Sequence, residues 1–231
     1  MSATSYRLSH GVVAPLSKLL WRPTITGTDN VPRDGGVVIA SNHLSFIDSF
    51  AIPIAAPRPV SFLAKSDYFT GTGVSGAIRR GFFEGSNAIP VDRHSSRAAQ
   101  ESLDAALEVL RAGRAFGIYP EGTRSRDGRL YKGRTGVAWL ALTAGVPVVP
   151  VGLVGTDAVQ PVGASFPRLA RVRVSFGRPV SPEPYVGMPA GKARRLLTDE
   201  VMDAIAGLSG QVRADTYNEL PPDSTGAAVG I

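Results

Sequence analysis

The stretch Ser41-Asn42-His43-Leu44-Ser45-Phe46-Ile47-Asp48 places an imidazole five positions before a carboxylate, a pairing that holds histidine as a general base. His43 is one of three histidines in the chain. On one regular helix, five steps would turn Asp48 about 140° away from His43. The two can meet if the chain turns after His43 and a helix begins near Ser45, with Asp48 in its first turn, where a carboxylate suits the helix dipole. The apolar run Val37-Val38-Ile39-Ala40, bounded upstream by Gly35-Gly36, reads as a short buried strand. His43 is then expected at a strand's C-terminal end, where open α/β sheets build their sites. The competing reading is structural, with His43 closing a turn and Asp48 capping a helix.

A base needs a proton to take. No Gly-x-Ser-x-Gly occurs, so a serine nucleophile elbow is not expected and the base is read as acting on a substrate hydroxyl directly. A second stretch, Glu121-Gly122-Thr123-Arg124, follows the apolar run 115–119. Arg124 offers a two-pronged fork for phosphate, and amides near Gly122 can add to an anion nest. Arg126, Arg129, Lys132 and Arg134 crowd the same region. Taken alone, this is also the composition of a solvated loop, and Arg93 alone could be one half of a surface ion pair. In a parallel sheet, however, His43, Lys65, Arg93 and Glu121–Arg124 would all follow strand ends and converge on one edge. One decoy is set aside. Gly71-Thr72-Gly73-Val74-Ser75-Gly76 fits a dinucleotide fingerprint, but the preceding strand ends near Ala64 and the strand before Asp92 contains Pro90.

The elements that would position these groups alternate. Strands are expected at 24–28, 37–40, 60–64, 88–91, 115–119 and 171–176. Val146–Val154 is β-like but carries Pro147 and Pro150, which suggests an edge strand or two short pieces. Helices are expected at about 46–54, 74–83, 96–112, 135–144 and 190–208, with Gly113 and Gly145 as stops. This pattern predicts an α/β fold: a single domain with a mostly parallel, twisted sheet flanked by helices. Residues 1–22 form an expected N-terminal amphipathic segment, in which Leu8, Val12, Leu16, Leu19 and Leu20 recur at helical spacing among Arg7, His10, Lys18, Trp21 and Arg22. It can pack on its own domain or lie on anionic lipid. The body is read as 23–212, and 213–231 as a loose, polar C-terminal tail.

In 231 residues, 25 Lys and Arg face 19 Asp and Glu, a net charge of +6 that favours anionic partners without choosing among them. Cysteine is absent and histidine scarce, which argues against disulfides, thiol chemistry and a metal site. No run reaches the roughly 18 apolar residues of a membrane span, and the N-terminus lacks the apolar core of a signal peptide.

Four blocks in order resemble the glycerolipid acyltransferases of the 1-acylglycerol-3-phosphate acyltransferase type: Asn42-His43 with Asp48; Gly81-Phe82 with Ile89-Pro90-Val91-Asp92-Arg93; Pro120-Glu121-Gly122-Thr123-Arg124-Ser125; and the run Val146 to Val151. Tyr119 stands where that pattern more often has Phe. The resemblance implies transfer of a fatty acyl group from acyl-CoA or acyl carrier protein to the sn-2 hydroxyl of lysophosphatidic acid, giving phosphatidic acid. His43 would be the base and Asp48 its orienter. Asn42, Lys65, Arg93, Glu121, Gly122, Thr123 and Arg124 would contact the acceptor. It further implies no cofactor beyond the thioester, no nucleic-acid partner, and peripheral attachment to an anionic membrane on the cytoplasmic face of the cell. Glycerol 3-phosphate or another lysophospholipid or glycolipid is the alternative acceptor, and a non-catalytic basic membrane-binding module is the alternative of another class.

Overall fold

Strands and helices alternate along the residues that the computed structural model describes, namely 21–65, 89–91, 98–161, 164 and 166–219. The strands are β1 (Thr24–Thr26), β2 (Val37–Ser41), β3 (Val60–Ser61), β4 (Leu63–Lys65), β5 (Ile89–Val91), β6 (Ala115–Ile118), β7 (Val148–Val154) and β8 (Arg173–Phe176). The helices are α1 (Asp48–Ala55), α2 (Ala98–Arg111), α3 (Gly136–Ala144), α4 (Thr156–Val159) and α5 (Ala190–Ser209). Six strands form one sheet in the order β1-β8-β7-β2-β6-β3, and only the β7–β8 pair is antiparallel. The α/β, mostly parallel architecture expected from the alternation is the one observed.

Successive side chains of a strand face opposite sides, so a strand covered on both faces must be apolar throughout. Central β2 shows this. Val38 and Ala40 enter a core with α2, α3 and α5, through Leu107, Leu110, Leu140, Leu197 and Ile205. Val37 and Ile39 enter a second core with Ile52 of α1, Val149, Val151 and Phe176. The continuous run that marked this strand therefore reflects two hydrophobic layers. In α5, Leu197, Val201, Met202 and Ile205 are buried at helical spacing and form the stripe that α5 lays on the sheet.

Three expectations need correction. Val146–Val154 is neither an edge strand nor two pieces: β7 is continuous and lies between β2 and β8. Its Pro150 sits where β8 ends: its carbonyl still accepts from Gly177 N at 2.8 Å, one residue beyond Phe176, and two-bond pairing resumes at Val148 with Val180, so the missing N–H costs a single contact. The strand expected at 60–64 breaks at Phe62: β3 joins β6 in the main sheet, whereas β4 pairs with β5 in a separate two-stranded sheet. Lys65, opposite Val91 of β5, thus ends a strand of the smaller sheet. The tail is not loose at its start. Leu130 N donates to Val212 O, Ala214 N to Leu130 O and Lys132 N to Thr216 O, at 2.8–2.9 Å, with Ala214 buried. A polar sequence can dock this way because backbone bonds, which composition does not reveal, hold it.

The amphipathic segment before Trp21, the glycine-rich 71–76, the helix at 74–83, Gly81-Phe82 and Asp92-Arg93 lie outside the described residues. Among the described residues no helix is long and apolar enough to cross a membrane.

Candidate active site

β2 and β6 are parallel neighbours, with Ala40 opposite Ile118, so the chain leaving each strand emerges at the same edge of the sheet. His43 follows β2 and Glu121 follows β6. The turn after His43 ends at Asp48, the first residue of α1. Asp48 Oδ2 reaches back along the chain and accepts from Leu44 N at 2.6 Å and Ser45 N at 2.8 Å, and it lies 2.8 Å from His43 Nδ1. Both side chains are buried, at 1% and 0% exposure. These bonds settle the tautomer. An oxygen already taking two backbone N–H donors acts as an acceptor, so Nδ1 carries the proton and Nε2 the lone pair. This is the state a general base requires. Asp48 Oδ1 is buried with no hydrogen-bond partner among the described residues, so the carboxylate's bonds are concentrated on the oxygen that faces the imidazole.

The ring is also held from its face. Tyr119 stacks on His43 with centroids 3.9 Å apart and planes 9° apart, and its hydroxyl shares a 3.0 Å hydrogen bond with Ser49 of α1. Burial, and then the nearby Asp48 charge, push the Tyr119 phenol well above its ordinary range, so it remains a neutral hydroxyl. Phe62 packs behind Tyr119 at 5.5 Å. Phe62 fits there because residue 117 is glycine: a Cβ at Gly117 would stand 2.1 Å from the Phe62 ring.

The main chain of His43 is tied at both ends of the residue. Its N–H donates to Glu121 Oε1 at 3.0 Å, and its carbonyl accepts from Ser125 N at 2.8 Å. Glu121 Oε2 accepts from Tyr131 N at 2.9 Å. Glu121 is fully buried; burial raises its carboxyl from 4.5 to about 7, opposed by the two backbone donors. Asn42 is equally enclosed: its Nδ2 donates to Leu153 O at 2.9 Å and Gln211 Oε1 at 2.7 Å, and its Oδ1 accepts from Leu153 N at 2.8 Å. Asn42 and Glu121, read from sequence as substrate contacts, instead bond to protein partners that hold the His43 turn.

Gly122 has φ +80°, a left-handed conformation that side chains rarely adopt, and Arg134 Nε lies 2.9 Å from where a Cβ would be. The glycine thus admits a guanidinium directly over the loop. Arg134 N donates to Pro120 O at 2.7 Å, which anchors that approach. Thr123 and Arg124 follow, half-buried. Arg129 is turned elsewhere: its Nε donates to Asp127 Oδ2 at 2.7 Å, and that hydrogen bond, above all, holds the Asp127 carboxyl well below the usual range. The structure therefore brings together His43, Asp48, Asn42 and Glu121–Arg124. Lys65 belongs to the smaller sheet, and Arg93 lies outside the described residues. Sequence reasoning missed Tyr119 as a ring support, Gly117 and Arg134 as close approaches, and Gln211 and Asn218 altogether. Tyr119 carried a signal, as the aromatic closing the run that leads into Pro120, and Arg134 stood among the basic residues crowding this loop. Among the described residues no cluster of three or more His, Cys, Asp or Glu could hold a metal.

The family model described as Acyltransferase matches residues 22–154. The 1-acyl-sn-glycerol-3-phosphate acyltransferase BAT2, chloroplastic, of Brassica napus is 30% identical over 188 residues, 80% of this chain and 50% of that protein. Its counterpart LPAT1, chloroplastic, of Arabidopsis thaliana is 30% identical over 162 residues, 69% of this chain and 44% of that protein. The chain thus spans about half the length of these relatives. The crystal structure of the 1-acyl-sn-glycerophosphate acyltransferase PlsC of Thermotoga maritima superposes with a TM-score of 0.64 at 22% identity, covering 90% of this chain and 83% of that one, a likeness of fold.

Proposed function

The chain belongs to the acyltransferase family, and from that premise we propose that it moves a fatty acyl group from an acyl-CoA or acyl carrier protein thioester to the sn-2 hydroxyl of lysophosphatidic acid, forming phosphatidic acid. The observation that carries this reading is the buried His43–Asp48 pair, with Nδ1 2.8 Å from Oδ2, an arrangement in which Nε2 is the nitrogen that can take a proton. The relatives' names, which specify 1-acyl-sn-glycerol-3-phosphate acyltransferases, support the choice of acceptor.

In this reaction His43 Nε2 takes the proton of the acceptor hydroxyl as its oxygen attacks the thioester carbonyl. The imidazolium formed is stabilised by Asp48, whose bonds to Leu44 and Ser45 keep it in place. When the tetrahedral intermediate collapses, the C–S bond breaks and the thiolate takes the proton back from His43. The new C–O bond is the ester, and no acyl-enzyme forms. Gly122–Arg124 and Arg134 supply amides and guanidinium groups for the acceptor's phosphate, with Lys65 and Arg93 as further contacts. The enzyme acts as a peripheral protein on an anionic membrane, at the cytoplasmic face. Its net charge of +6 and the lipid nature of the acceptor support that placement.

The test is a panel of acceptors with purified protein and acyl-CoA: lysophosphatidic acid, glycerol 3-phosphate, and lysophospholipids with other headgroups. Turnover is expected with lysophosphatidic acid above the others. Turnover of glycerol 3-phosphate or another lysolipid without lysophosphatidic acid would overturn the acceptor assignment, and no transfer to any acceptor would favour a non-catalytic binding module.

A further inference from the structure

After α5 the chain turns back and runs alongside residues 128–132, held by the Leu130–Val212, Ala214–Leu130 and Lys132–Thr216 backbone bonds and the bridge between Leu130 and Arg213. This segment lies beyond residues 22–154, where the family match ends. Two of its side chains reach the site. Gln211 accepts from Asn42 Nδ2 at 2.7 Å through Oε1 and donates from Nε2 to Gly128 O at 2.8 Å, so one amide joins the residue before His43 to the loop. Asn218 Nδ2 donates to the carbonyls of Thr123 at 3.4 Å and Arg124 at 3.1 Å.

The Arg124 contact has a consequence for His43. A trans peptide points its C=O and the following N–H to opposite sides, and no peptide bond among the described residues is cis. Holding the Arg124 carbonyl at Asn218 therefore aims the Ser125 N–H the other way, where it donates to the His43 carbonyl at 2.8 Å. A single peptide plane thus connects the strap to the base. The same segment gathers cations over the loop: Lys132 Nζ and Arg134 Cζ lie 5.8 and 5.6 Å from the Tyr217 ring centroid, and Arg134 donates to Asn218 O at 3.5 Å.

We propose that residues 211–218 are a strap that positions both halves of the site, Gln211 acting through Asn42 on the base and Asn218 acting through the 123–125 peptides on the acceptor loop. Both are positioning residues. For its kinetic readout the inference rests on the acyl transfer proposed above; its second readout, amide hydrogen exchange, does not.

The experiment compares the full chain with Asn218→Ala, Asn218→Gln, Gln211→Leu and Gln211→Glu, using acyl-CoA and lysophosphatidic acid, together with melting temperature and exchange of residues 42–45 and 122–126. Losing the Asn218 bonds should raise the KM for acceptor about tenfold with kcat within about threefold, and speed exchange at Ser125 by about tenfold. Asn218→Gln, which keeps the donor, should recover part of both. Gln211→Leu should lower kcat about tenfold with little change in KM, and Gln211→Glu, which still accepts from Asn42, should recover most of it. Wild-type kinetics and exchange in Asn218→Ala and Gln211→Leu would overturn the proposal, as would kcat and KM changes that merely track lost folded protein. If the unmodified chain turns over no lysophosphatidic acid, the acceptor reading fails, and exchange still decides the strap: faster at Ser125 in Asn218→Ala supports it, unchanged overturns it.

Discussion

The turn 42–48 and the loop 121–134 meet at His43 but differ in how deeply their side chains are buried. In the turn, Asn42, His43, Ser45 and Asp48 are all at or near zero exposure, and the ring is fixed by a carboxylate on one nitrogen and an aromatic face. Beyond Glu121, the loop has half-buried or exposed side chains at 122–124, 126–129 and 131, and its backbone is held by residues 80–95 positions away in the strap. The difference fits the two tasks proposed for them. A proton-transfer group needs one tautomer and one orientation, which burial and short bonds enforce. A surface that grips a charged acceptor must stay accessible, so its shape is set by main-chain contacts from outside. Only the charge partner of His43 is thus local, at Asp48; the turn is anchored by Glu121, Leu153 and Gln211, as the loop is by the strap.

The largest effect should come from breaking the turn's charge. Asp48→Asn retains an oxygen for Leu44 N and Ser45 N but no longer stabilises the imidazolium, so kcat should fall by about 10³–10⁴-fold with the fold intact. Steady-state acyl transfer together with a melting curve checks this, and a loss below tenfold would place the catalytic charge elsewhere.

Glu121, the residue shared by the two regions, gives the next effect. Its folded-state carboxyl sits at about 7, above the 4.5 of an unperturbed glutamate. The folded protein therefore binds this proton more tightly than the unfolded chain. The associated stability is complete below pH 4.5 and is lost as pH rises through about 7, a change of about 3 kcal/mol. Glu121→Gln should remove that pH dependence while weakening one of the two backbone contacts. Melting temperatures between pH 5 and 8 should fall more steeply for the wild type than for the variant; equal slopes would mean that the carboxyl is not penalised by burial.

The smallest effect sharpens the role of the stacked ring. Tyr119→Phe keeps the face against His43 and loses only the bond to Ser49, so stability should drop by about 1 kcal/mol and kcat change less than about threefold. A rate loss of a hundredfold would give the hydroxyl a direct part in the chemistry.

The layered sheet was legible because strands buried on both sides read as unbroken apolar runs, and α2 and α5 carry clear helical stripes. The His43–Asp48 pair was legible because a spacing of five demands a turn, and a turn is what forms. Other features depend on geometry that residue types do not encode. Pro150 misled because its harm depends on how many bonds its missing N–H removes, and pairing resumes beyond it at Val148 and Val180. The inward turn of Asn42 and Glu121 depends on Leu153 and Tyr131, whose proximity comes only with the fold. The docked strap looked like a tail because its backbone bonds and those of Gln211 and Asn218 go to residues distant in sequence, and Ala214 is its only buried apolar side chain. Arg93 and the N-terminal segment lie outside the described residues.

The central claim is that His43 activates the acceptor's own hydroxyl. Its most direct test is the rate of acyl transfer to lysophosphatidic acid by His43→Ala at saturating donor and acceptor, with binding to anionic vesicles measured on the same preparation. The account predicts a loss of about 10³-fold or more while the protein stays folded and still binds the vesicles; a variant that binds and turns over near the wild-type rate would contradict it.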